Sequence, residues 1–301
     1  MDNHVIEIRQ LSRRFAEKVA LEAVDLSVPK GAVLGLVGSN GAGKTTLIKH
    51  LLGLFRAQTG TVRVFGLDPV RDPAAVLGRT GYLSEDRDLP EWMRIGELLR
   101  YTAAFYPAWD DGYVQELVAL FELDLGQKIR TLSRGQRAQT ALLVALAYRP
   151  DLLLLDEPSS GLDPVVRRDI LSAIVRTVAD EGRTVVFSSH LLDEVERVAD
   201  CVAMIHQGRI VLRDSLDNIK SGHCRVTIRL DQPVHSPPAL PGAISQAGGP
   251  LEWSYLCNSP VDQVQAAIGR LSARIVDQAV PTLDEIFVAR VRSRRASEVR
   301  P

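Results

Sequence analysis

A glycine-rich loop that ends in lysine and threonine carries the clearest chemistry in this sequence. Residues 38–46 read GSNGAGKTT and fit the pattern GxxxxGK(S/T), between an apolar run and a helix-like segment. Glycines let the backbone bend closely around an anion, so that N–H groups and a helix N-terminus point at phosphates. The lysine would neutralise phosphate charge, and the next threonine would ligate Mg²⁺. We therefore predict a nucleotide phosphate site formed by Gly38, Ser39, Asn40, Gly41, Ala42, Gly43, Lys44, Thr45 and Thr46.

A pair of carboxylates follows a short apolar run farther along the chain. Residues 152–155 are all leucine, too short a run for a helix and typical of a strand buried on both faces of a parallel sheet. Open α/β sheets bind ligands at the carboxyl ends of their strands, where Asp156 and Glu157 stand. Asp156 would hold Mg²⁺ through water, and Glu157 would orient and deprotonate an attacking water. A solvated strand end is the alternative, but the glycine-rich loop upstream favours catalysis.

Residues 132–136, LSRGQ, lie between these two features and carry a family resemblance. Ser133 can cap a helix that begins at Gly135, and the N-terminus of such a helix presents N–H groups and a dipole to an anion. The string resembles the LSGGQ signature of ABC-type ATPases, and it stands in the order that this family has. The resemblance implies that Ser133, Gly135 and Gln136 contact the γ-phosphate of an ATP bound by the other subunit.

Other positions match the same family. Phe15 stands where the resemblance implies an aromatic ring stacked on adenine, with a core phenylalanine as the alternative. His190, after the strand-like Thr184–Phe187, matches the switch histidine that contacts the γ-phosphate, although a histidine at a strand end is more often structural. Ser160–Asp163 resembles the D-loop that crosses the dimer interface, while Asp163 could equally be a helix N-cap.

One position departs from the family pattern. Where glutamine is usual, after Gly81-Tyr82-Leu83, the chain reads Ser84-Glu85. Glu85 could still reach Mg²⁺ through an oxygen, and it adds a negative charge beside the phosphates. The resemblance implies MgATP as the bound nucleotide, with Thr45, Glu85 and Asp156 around the metal ion.

Length and composition restrict the remaining possibilities. The 301 residues allow one large or two modest domains, and the net charge of -1 argues against nucleic acid as the main partner. No apolar stretch approaches the roughly 20 residues that span a bilayer, so a membrane role requires a partner. The first residues lack the basic and apolar regions of a secretion signal, which leads us to expect a cytoplasmic protein. Cys201, Cys224 and Cys257 lack CxxC spacing, and we expect them to be small buried or half-buried residues rather than a disulfide or a zinc site.

The order of elements predicts an α/β fold. Short strand-like stretches occupy residues 5–37, and strands and helices then alternate, as in a core with a mainly parallel sheet. Residues 88–149 have mostly helical periodicity, which indicates an inserted helical subdomain at about 86–150. The resemblance covers residues 4–220 and implies a RecA-like P-loop core with an antiparallel β subdomain.

A small second domain is predicted after a boundary near Ser221-Gly222. Alternating apolar residues predict its first strand, and a loop rich in proline and glycine then interrupts the pattern. We expect an ABC-type ATP-binding domain at 1–220 and a C-terminal α/β accessory domain at 221–301. The predicted elements are a strand with Val226, Ile228 and Leu230 on one face, a loop at 231–250, helices at 262–272 and 282–293, and a strand at Ile275-Val276.

One phosphate loop, one signature and no apolar span together resemble a separate ATP-binding subunit of an ABC transporter. The resemblance implies a homodimer packed head to tail, with each ATP between the loop of one chain and Ser133 and Gly135 of the other. Lys44, Glu157 and His190 would be the catalytic residues. Integral membrane permease subunits are the implied partners, which places the chain peripherally on the cytoplasmic face of the cell membrane. A soluble ABC-type ATPase without a transport role is the alternative.

The direction of transport is predicted from two short segments. Ser84-Glu85-Asp86 and the ending Pro281–Phe287 resemble the exporter branch, whose permeases are six-helix ABC-2 type proteins. Export is therefore the expected direction, and the membrane subunit chooses the cargo. We expect the coupling surface near Leu89–Leu99, where Trp92 and Met93 are either exposed partner anchors or ordinary core residues.

Overall fold

The computed structural model of the chain describes residues 4–179 and 182–298 and forms two compact units, Met1–Leu212 and Arg213–Pro301. The strands that begin in the first unit are β1 (His4–Phe15), β2 (Lys18–Pro29), β3 (Val33–Val37), β4 (Thr59–Val64), β5 (Thr80–Leu83), β6 (Leu152–Asp156), β7 (Thr184–Ser189), β8 (Cys201–His206) and β9 (Arg209–Ser215). Its helices are α1 (Lys44–Leu51), α2 (Pro73–Leu77), α3 (Ile95–Ala103), α4 (Asp111–Leu120), α5 (Arg134–Leu146), α6 (Pro164–Ala179) and α7 (Leu192–Val198), with a 3₁₀ turn at Ile129–Thr131. The second unit contains α8 (Leu216–Ser221), β10 (Cys224–Leu230), β11 (Ala243–Gly249), β12 (Glu252–Cys257), α9 (Val261–Ile268), β13 (Ala273–Ala279) and α10 (Leu283–Glu298).

A sheet with the strand order β5-β6-β7-β3-β8-β9 forms the centre of the first unit. The pairs β5–β6, β6–β7, β7–β3 and β3–β8 are all parallel. Every residue of β3 and β6 is buried, as expected for parallel strands that are covered on both faces. The predicted strand at 152–155 is therefore correct, and the carboxyl ends of β3, β6 and β7 lie along one edge of the sheet.

A smaller antiparallel sheet, with the order β2-β1-β4, packs beside the parallel one. On β1, Ile6 and Ile8 are buried and pair with Val28 and Leu26 of β2. These side chains belong to the same apolar core as Leu47 of α1 and the inner residues of β3 and β6. The two sheets therefore enclose α1, the helix that follows the glycine-rich loop, in a single core.

A helical insertion, α3 to α5, separates β5 from β6 in the chain, within the range predicted at about 86–150. Asp110 caps α4, because its carboxylate accepts a 2.9 Å hydrogen bond from the N–H of Tyr113. Pro107 and Gly126 lie in the connections between these helices, as their turn-forming character predicts. Within residues 4–179 and 182–298, no helix is both long enough and apolar enough to cross a membrane.

The second unit is a sheet with the order β11-β12-β10-β13 and the helices α8, α9 and α10. Its core includes Val226 and Ile228 from the predicted alternating strand, together with Tyr255 of β12. The α/β class predicted for both parts of the chain is confirmed. The division between the units falls at residue 212, before the expected boundary near 221, because the end of β9 and all of α8 belong to the second unit.

Two strands of the second unit were absent from the sequence prediction. β11 lies inside the predicted loop at 231–250, and β12 follows it directly. The sequence of β11, AISQAGG, has few apolar residues, so its alternation is weak. Backbone pairing with β12, across a short turn at 250–251, holds β11 in the sheet, and these main-chain hydrogen bonds do not depend on the side-chain pattern.

The cysteines of the second unit are neighbours in space although they are distant in sequence. Cys224 of β10 pairs directly with Cys257 of β12, and both are buried free thiols. Burial raises the pKa of Cys257 to about 12, so this thiol stays protonated at neutral pH. The two residues behave as small apolar side chains in the core.

We expect the stability of the second unit to decrease in mild acid because of His223. This buried ring contacts the carbonyl oxygen of Ile219 through Nδ1 (2.8 Å) and the guanidinium of Arg290 through Nε2 (3.1 Å), an arrangement that suits the neutral ring. Burial, with the nearby Arg290 charge, holds the pKa of His223 below its usual 6.5. The unfolded chain therefore binds more protons, and stability present above pH 6.5 is lost as the pH falls.

Urea unfolding followed by circular dichroism at pH 7.5 and pH 5 tests this expectation. The free energy of unfolding should fall between the two pH values, and the fall should be smaller in His223→Gln. His235→Gln, which changes an exposed histidine of the same unit, is the control and should match the wild type. Equal losses in the wild type and in His223→Gln would contradict the assignment.

Candidate functional site

The candidate site lies at the carboxyl edge of the parallel sheet. β6, β7 and β3 are consecutive in this sheet, so the residues that follow them emerge side by side. The glycine-rich loop follows β3, Asp156 and Glu157 stand at the end of β6, and His190 follows β7 directly. Residues that are far apart in the sequence therefore meet because of the strand order.

The glycine-rich loop turns sharply before α1. Gly43 has φ +115°, and a Cβ at this position would lie 2.6 Å from the backbone oxygen of Ala20, so only glycine fits without strain. The helix begins at Lys44, and its first turn contains no acidic residue. Its free N–H groups and positive dipole end therefore face the loop, which favours an anion there.

A buried ion pair joins the loop to the strand-end carboxylates. Lys44 Nζ lies 2.6 Å from the backbone oxygen of Gly38 and 2.9 Å from Glu157 Oε1. The side chains of Lys44 and Glu157 are each only 6% exposed. Burial of two charges is costly unless they are paired, so this contact fixes both side chains in the site.

Glu157 makes a second contact through its other oxygen. His190 Nδ1 lies 2.7 Å from Glu157 Oε2, so the carboxylate bridges the lysine and the histidine. The backbone of Glu157 is left-handed (φ +49°), a conformation that costs a non-glycine residue roughly 1–2 kcal/mol. Such strain is characteristic of functional sites, where surrounding contacts hold it in place.

Ser188 connects the two carboxylate residues. Its hydroxyl donates to Asp156 Oδ1 (2.6 Å) and accepts from the N–H of Glu157 (2.9 Å). Asp156 and Ser188 are register partners on β6 and β7. The sequence prediction missed Ser188 because its role depends on this register, and the only available signal was its place at the end of a predicted strand.

A cavity of about 330 Å³ contains most of the predicted nucleotide-binding residues. Phe15 stands at its edge, is 38% exposed and packs edge to face against Phe55, with the Arg13 guanidinium 4.6 Å from its ring centre. This phenylalanine is thus not a buried core residue. The cavity is lined by Phe15, Lys18, Ala20, Asn40, Gly41, Gly43, Lys44, Thr45, Thr46, Glu85 and Glu157. Lys18 was not predicted, although it follows Phe15 by three positions.

The residues expected around Mg²⁺ have suitable oxygen atoms. Thr45 and Glu85 line the cavity. Asp156 Oδ1 accepts a hydrogen bond from the hydroxyl of Ser188, while its buried Oδ2 has no hydrogen-bond donor among the residues described. In that same part of the chain, no group of three or more His, Cys, Asp or Glu side chains could hold a metal ion. The arrangement fits Mg²⁺, which commonly takes few protein ligands and keeps several waters.

The signature residues lie elsewhere, at the start of α5. Ser133 Oγ accepts from the N–H of Gln136 (3.1 Å), and Gln136 Oε1 accepts from the N–H of Ser133 (3.0 Å), a reciprocal capping box. The helix begins at Arg134, one residue before the predicted Gly135, because Ser133 is the N-cap. A Cβ on Gly135 would lie 3.0 Å from Val166 Cγ2, which leaves little room for a side chain. None of these signature residues lines the cavity.

The loop after β6, residues 157–163, carries the predicted D-loop. Asp163 Oδ1 accepts from the N–H groups of Val165 (3.0 Å) and Val166 (3.1 Å), so the alternative role as an N-cap is correct. The hydroxyl of Ser159 donates to Glu194 Oε2 (2.5 Å), and burial raises the pKa of Glu194. We call residues 157–163 the post-β6 loop; the contact with Glu194 attaches it to α7.

Fold and site together define a P-loop nucleotide hydrolase, and comparison with known proteins identifies its family. The family described as "ABC transporter" matches residues 21–160. Daunorubicin resistance ATP-binding protein DrrA3 of Streptomyces coeruleorubidus is 32% identical over 309 residues, 96% of this chain and 96% of that protein. The chain belongs to the ABC transporter family of ATP-binding proteins, and it is an ATPase.

Solved structures agree with this membership. The ATP-binding subunit of an ABC transporter is 29% identical, covers 72% of this chain and 92% of its own, and gives a TM-score of 0.66. A dimeric ATP-binding cassette in a post-hydrolysis state, bound to ADP and Pi, shares the fold at 20% identity, with coverage of 70% and 98% and a TM-score of 0.63. The RecA-like P-loop fold implied by the sequence resemblance is confirmed.

Proposed function

We propose that this chain powers an exporter of the ABC class by trapping ATP between two head-to-tail copies and hydrolysing it. The observation that carries this proposal is the division of the site. Lys44 and Glu157 line one cavity, and His190 reaches it only through its contact with Glu157. Ser133 is outside the cavity lining and contacts neither side chain, at the N-terminus of a helix in the insertion. A phosphate bound in the cavity could contact both the glycine-rich loop and Ser133 only if a second copy of the chain supplies the serine.

The residues at the cavity have separate proposed roles. The loop 38–46 binds the β- and γ-phosphates, and Phe15 stacks on the adenine ring. When phosphate oxygens share the charge of Lys44, Glu157 becomes available to orient a water and accept its proton. His190 already contacts Glu157, so its second ring nitrogen can reach toward the γ-phosphate.

Magnesium has a defined place in this proposal. Thr45 would contribute its hydroxyl, Asp156 would hold the ion through water with its free Oδ2, and Glu85 would add an oxygen from the cavity wall. Mg²⁺ neutralises charge that builds up on the phosphates. Ser188 keeps Asp156 oriented by its hydrogen bond, which leaves Oδ2 as the atom that faces the ion.

The helix start of α5 is suited to contact a phosphate of the opposite copy. Its first turn contains no acidic residue, and the capping box satisfies the N–H groups of Ser133 and Gln136. The N–H groups of Arg134 and Gly135 have no acceptor within the helix, since the first turn never does. We propose that these groups, with Ser133 and Gln136, complete the γ-phosphate site of the partner.

Mixing two inactive variants tests the head-to-tail arrangement. Lys44→Ala damages the phosphate loop, and Ser133→Arg damages the signature, so neither homodimer has an intact site. In a mixed dimer, one of the two sites combines the undamaged loop of one copy with the undamaged signature of the other. Because half of the dimers are mixed and each has one intact site, we expect about a quarter of the wild-type ATPase rate.

A matched control is a mixture of Lys44→Ala with Lys44→Met, which places both lesions in the loop and should remain inactive. Steady-state ATPase rates at several protein concentrations provide the measurement. If the mixture of Lys44→Ala and Ser133→Arg has no higher ATPase rate than either variant alone, the site does not span two copies.

The proposed partner is an integral membrane permease, bound at the segment Leu89–Leu99. Trp92 in this segment is 77% exposed, which favours the partner-anchor alternative, whereas Met93 is half-buried. Tyr101 and Phe105 are also exposed on the same insertion. An aromatic surface of this kind suits a protein partner and would place the chain on the cytoplasmic face of the membrane. Export is supported by the relative named for daunorubicin resistance.

A further inference from the structure

Arg87 is a buried cation beside the candidate site. It is 4% exposed and follows Glu85, which lines the cavity, by two residues. Its Nη2 atom donates to the backbone oxygens of Ser160 (2.9 Å) and Pro158 (3.1 Å), with a longer contact of 3.5 Å to that of Glu157. All three carbonyl groups belong to the post-β6 loop, which begins at the proposed general base.

The surroundings of Arg87 are unusual for a buried charge. Among the residues described, no carboxylate lies within ion-pair distance of it, although the charge of Glu85 acts on it from farther away. Carbonyl oxygens accept from Nη2, while the buried Nε has no hydrogen-bond acceptor among the same residues. Burial, together with the nearby positive charge of Arg134, lowers the pKa of the Arg87 guanidinium. The backbones of Arg87 and Glu157 are both left-handed, at φ +52° and +49°. Two strained positions are therefore joined by one side chain.

A guanidinium suits this position because it presents several N–H donors in a fixed plane. Here the two N–H groups of Nη2 serve the carbonyls of Pro158 and Ser160, whereas an aliphatic side chain would remove this donor from both. The contacts connect the segment that carries Glu85 with the loop that carries Glu157 and the D-loop. A displacement of the segment that carries Glu85 would therefore also move the loop that carries Glu157, and the reverse.

We propose that Arg87 is a positioning residue for ATP hydrolysis, which holds the post-β6 loop so that Glu157 faces the bound nucleotide. This inference rests on the proposed role of Glu157 as the general base. Arg87 is not among the residues that line the cavity, so we expect it to act on the nucleotide only through the loop. Its loss should therefore affect turnover more than nucleotide affinity.

Steady-state ATPase measurements on the full chain with Arg87→Met, Arg87→Lys and Arg87→Ala test the proposal. We expect Arg87→Met to lower kcat by about 100-fold, with KM for MgATP nearly unchanged, because a small displacement of a catalytic group is costly. Arg87→Lys should lose less, because an ammonium keeps the charge but not the planar set of donors. Arg290→Met, which removes a half-buried guanidinium from the second unit, is the matched control and should keep wild-type kcat.

Chemical rescue separates positioning from general destabilisation. Guanidinium chloride at concentrations below those that unfold the protein should restore part of the kcat of Arg87→Ala and leave Glu157→Gln inactive. A folded Arg87→Ala variant that gains nothing would overturn the proposal, as would an effect on KM alone. If Arg87→Ala does not fold, Arg87→Lys decides, and wild-type kcat in that variant would overturn it. ATP turnover in Glu157→Gln at the parental rate would instead contradict the proposed role of Glu157 as the general base, on which this inference rests.

Discussion

Replacing Glu157 with glutamine is expected to lower ATP turnover by about a thousandfold, within the range of lost general-base catalysis. Glutamine has nearly the same shape as glutamate but cannot accept a proton from water. Nucleotide binding should remain, because the glycine-rich loop and α1 are unchanged. The variant should therefore bind MgATP and hold the closed dimer for longer than the wild type.

The measurement combines single-turnover ATPase kinetics with light scattering of the purified chain at saturating MgATP. Glu252→Gln is a suitable control, since it removes an exposed carboxylate from β12 of the second unit. This control should hydrolyse ATP at the wild-type rate and remain in the wild-type association state. Parental turnover in Glu157→Gln would show that another group takes the proton.

The sequence was most informative where a short motif determines its own backbone. The loop 38–46 combines glycines for tight turns with a helix start, and the capping box at Ser133 lies within four residues. Such local features carry their geometry with them, so the start of α5 could be predicted to within one residue. The helix after the loop, predicted at Thr46–Leu54, is found at Lys44–Leu51. The run 152–155 was equally clear because a strand buried on both faces leaves a continuous apolar pattern.

Contacts that depend on strand register and loop packing could not be predicted in this way. Ser188 reaches Asp156 only because β7 lies beside β6 in one particular register. Arg87 and Glu194 contact the post-β6 loop from elements that are distant in sequence, and each looks like an ordinary surface charge in the printed chain. Buried polar partners of this kind become visible only when the topology is known.

Replacing Lys44 with methionine is expected to have two separate effects, on nucleotide binding and on stability. The ammonium supplies charge-assisted hydrogen bonds to phosphate, each of which contributes roughly 1.5–3 kcal/mol, so affinity for MgATP should fall by about 10- to 100-fold. Turnover should fall further, because the developing charge on the phosphates also loses its nearest cation. Isothermal titration with MgATP and steady-state kinetics measure the two losses.

The effect on stability follows from the buried ion pair with Glu157. Removing one partner leaves a carboxylate without its cation, which costs about 3–5 kcal/mol in a buried pair, and His190 offsets part of this. The double variant Lys44→Met, Glu157→Gln removes the stranded charge and should therefore be more stable than Lys44→Met, although it remains inactive. A double-mutant cycle in urea unfolding gives the coupling between the two side chains. No coupling would mean that the lysine and the carboxylate are held independently, and then phosphate binding at Lys44 would not release Glu157 for its role as a base.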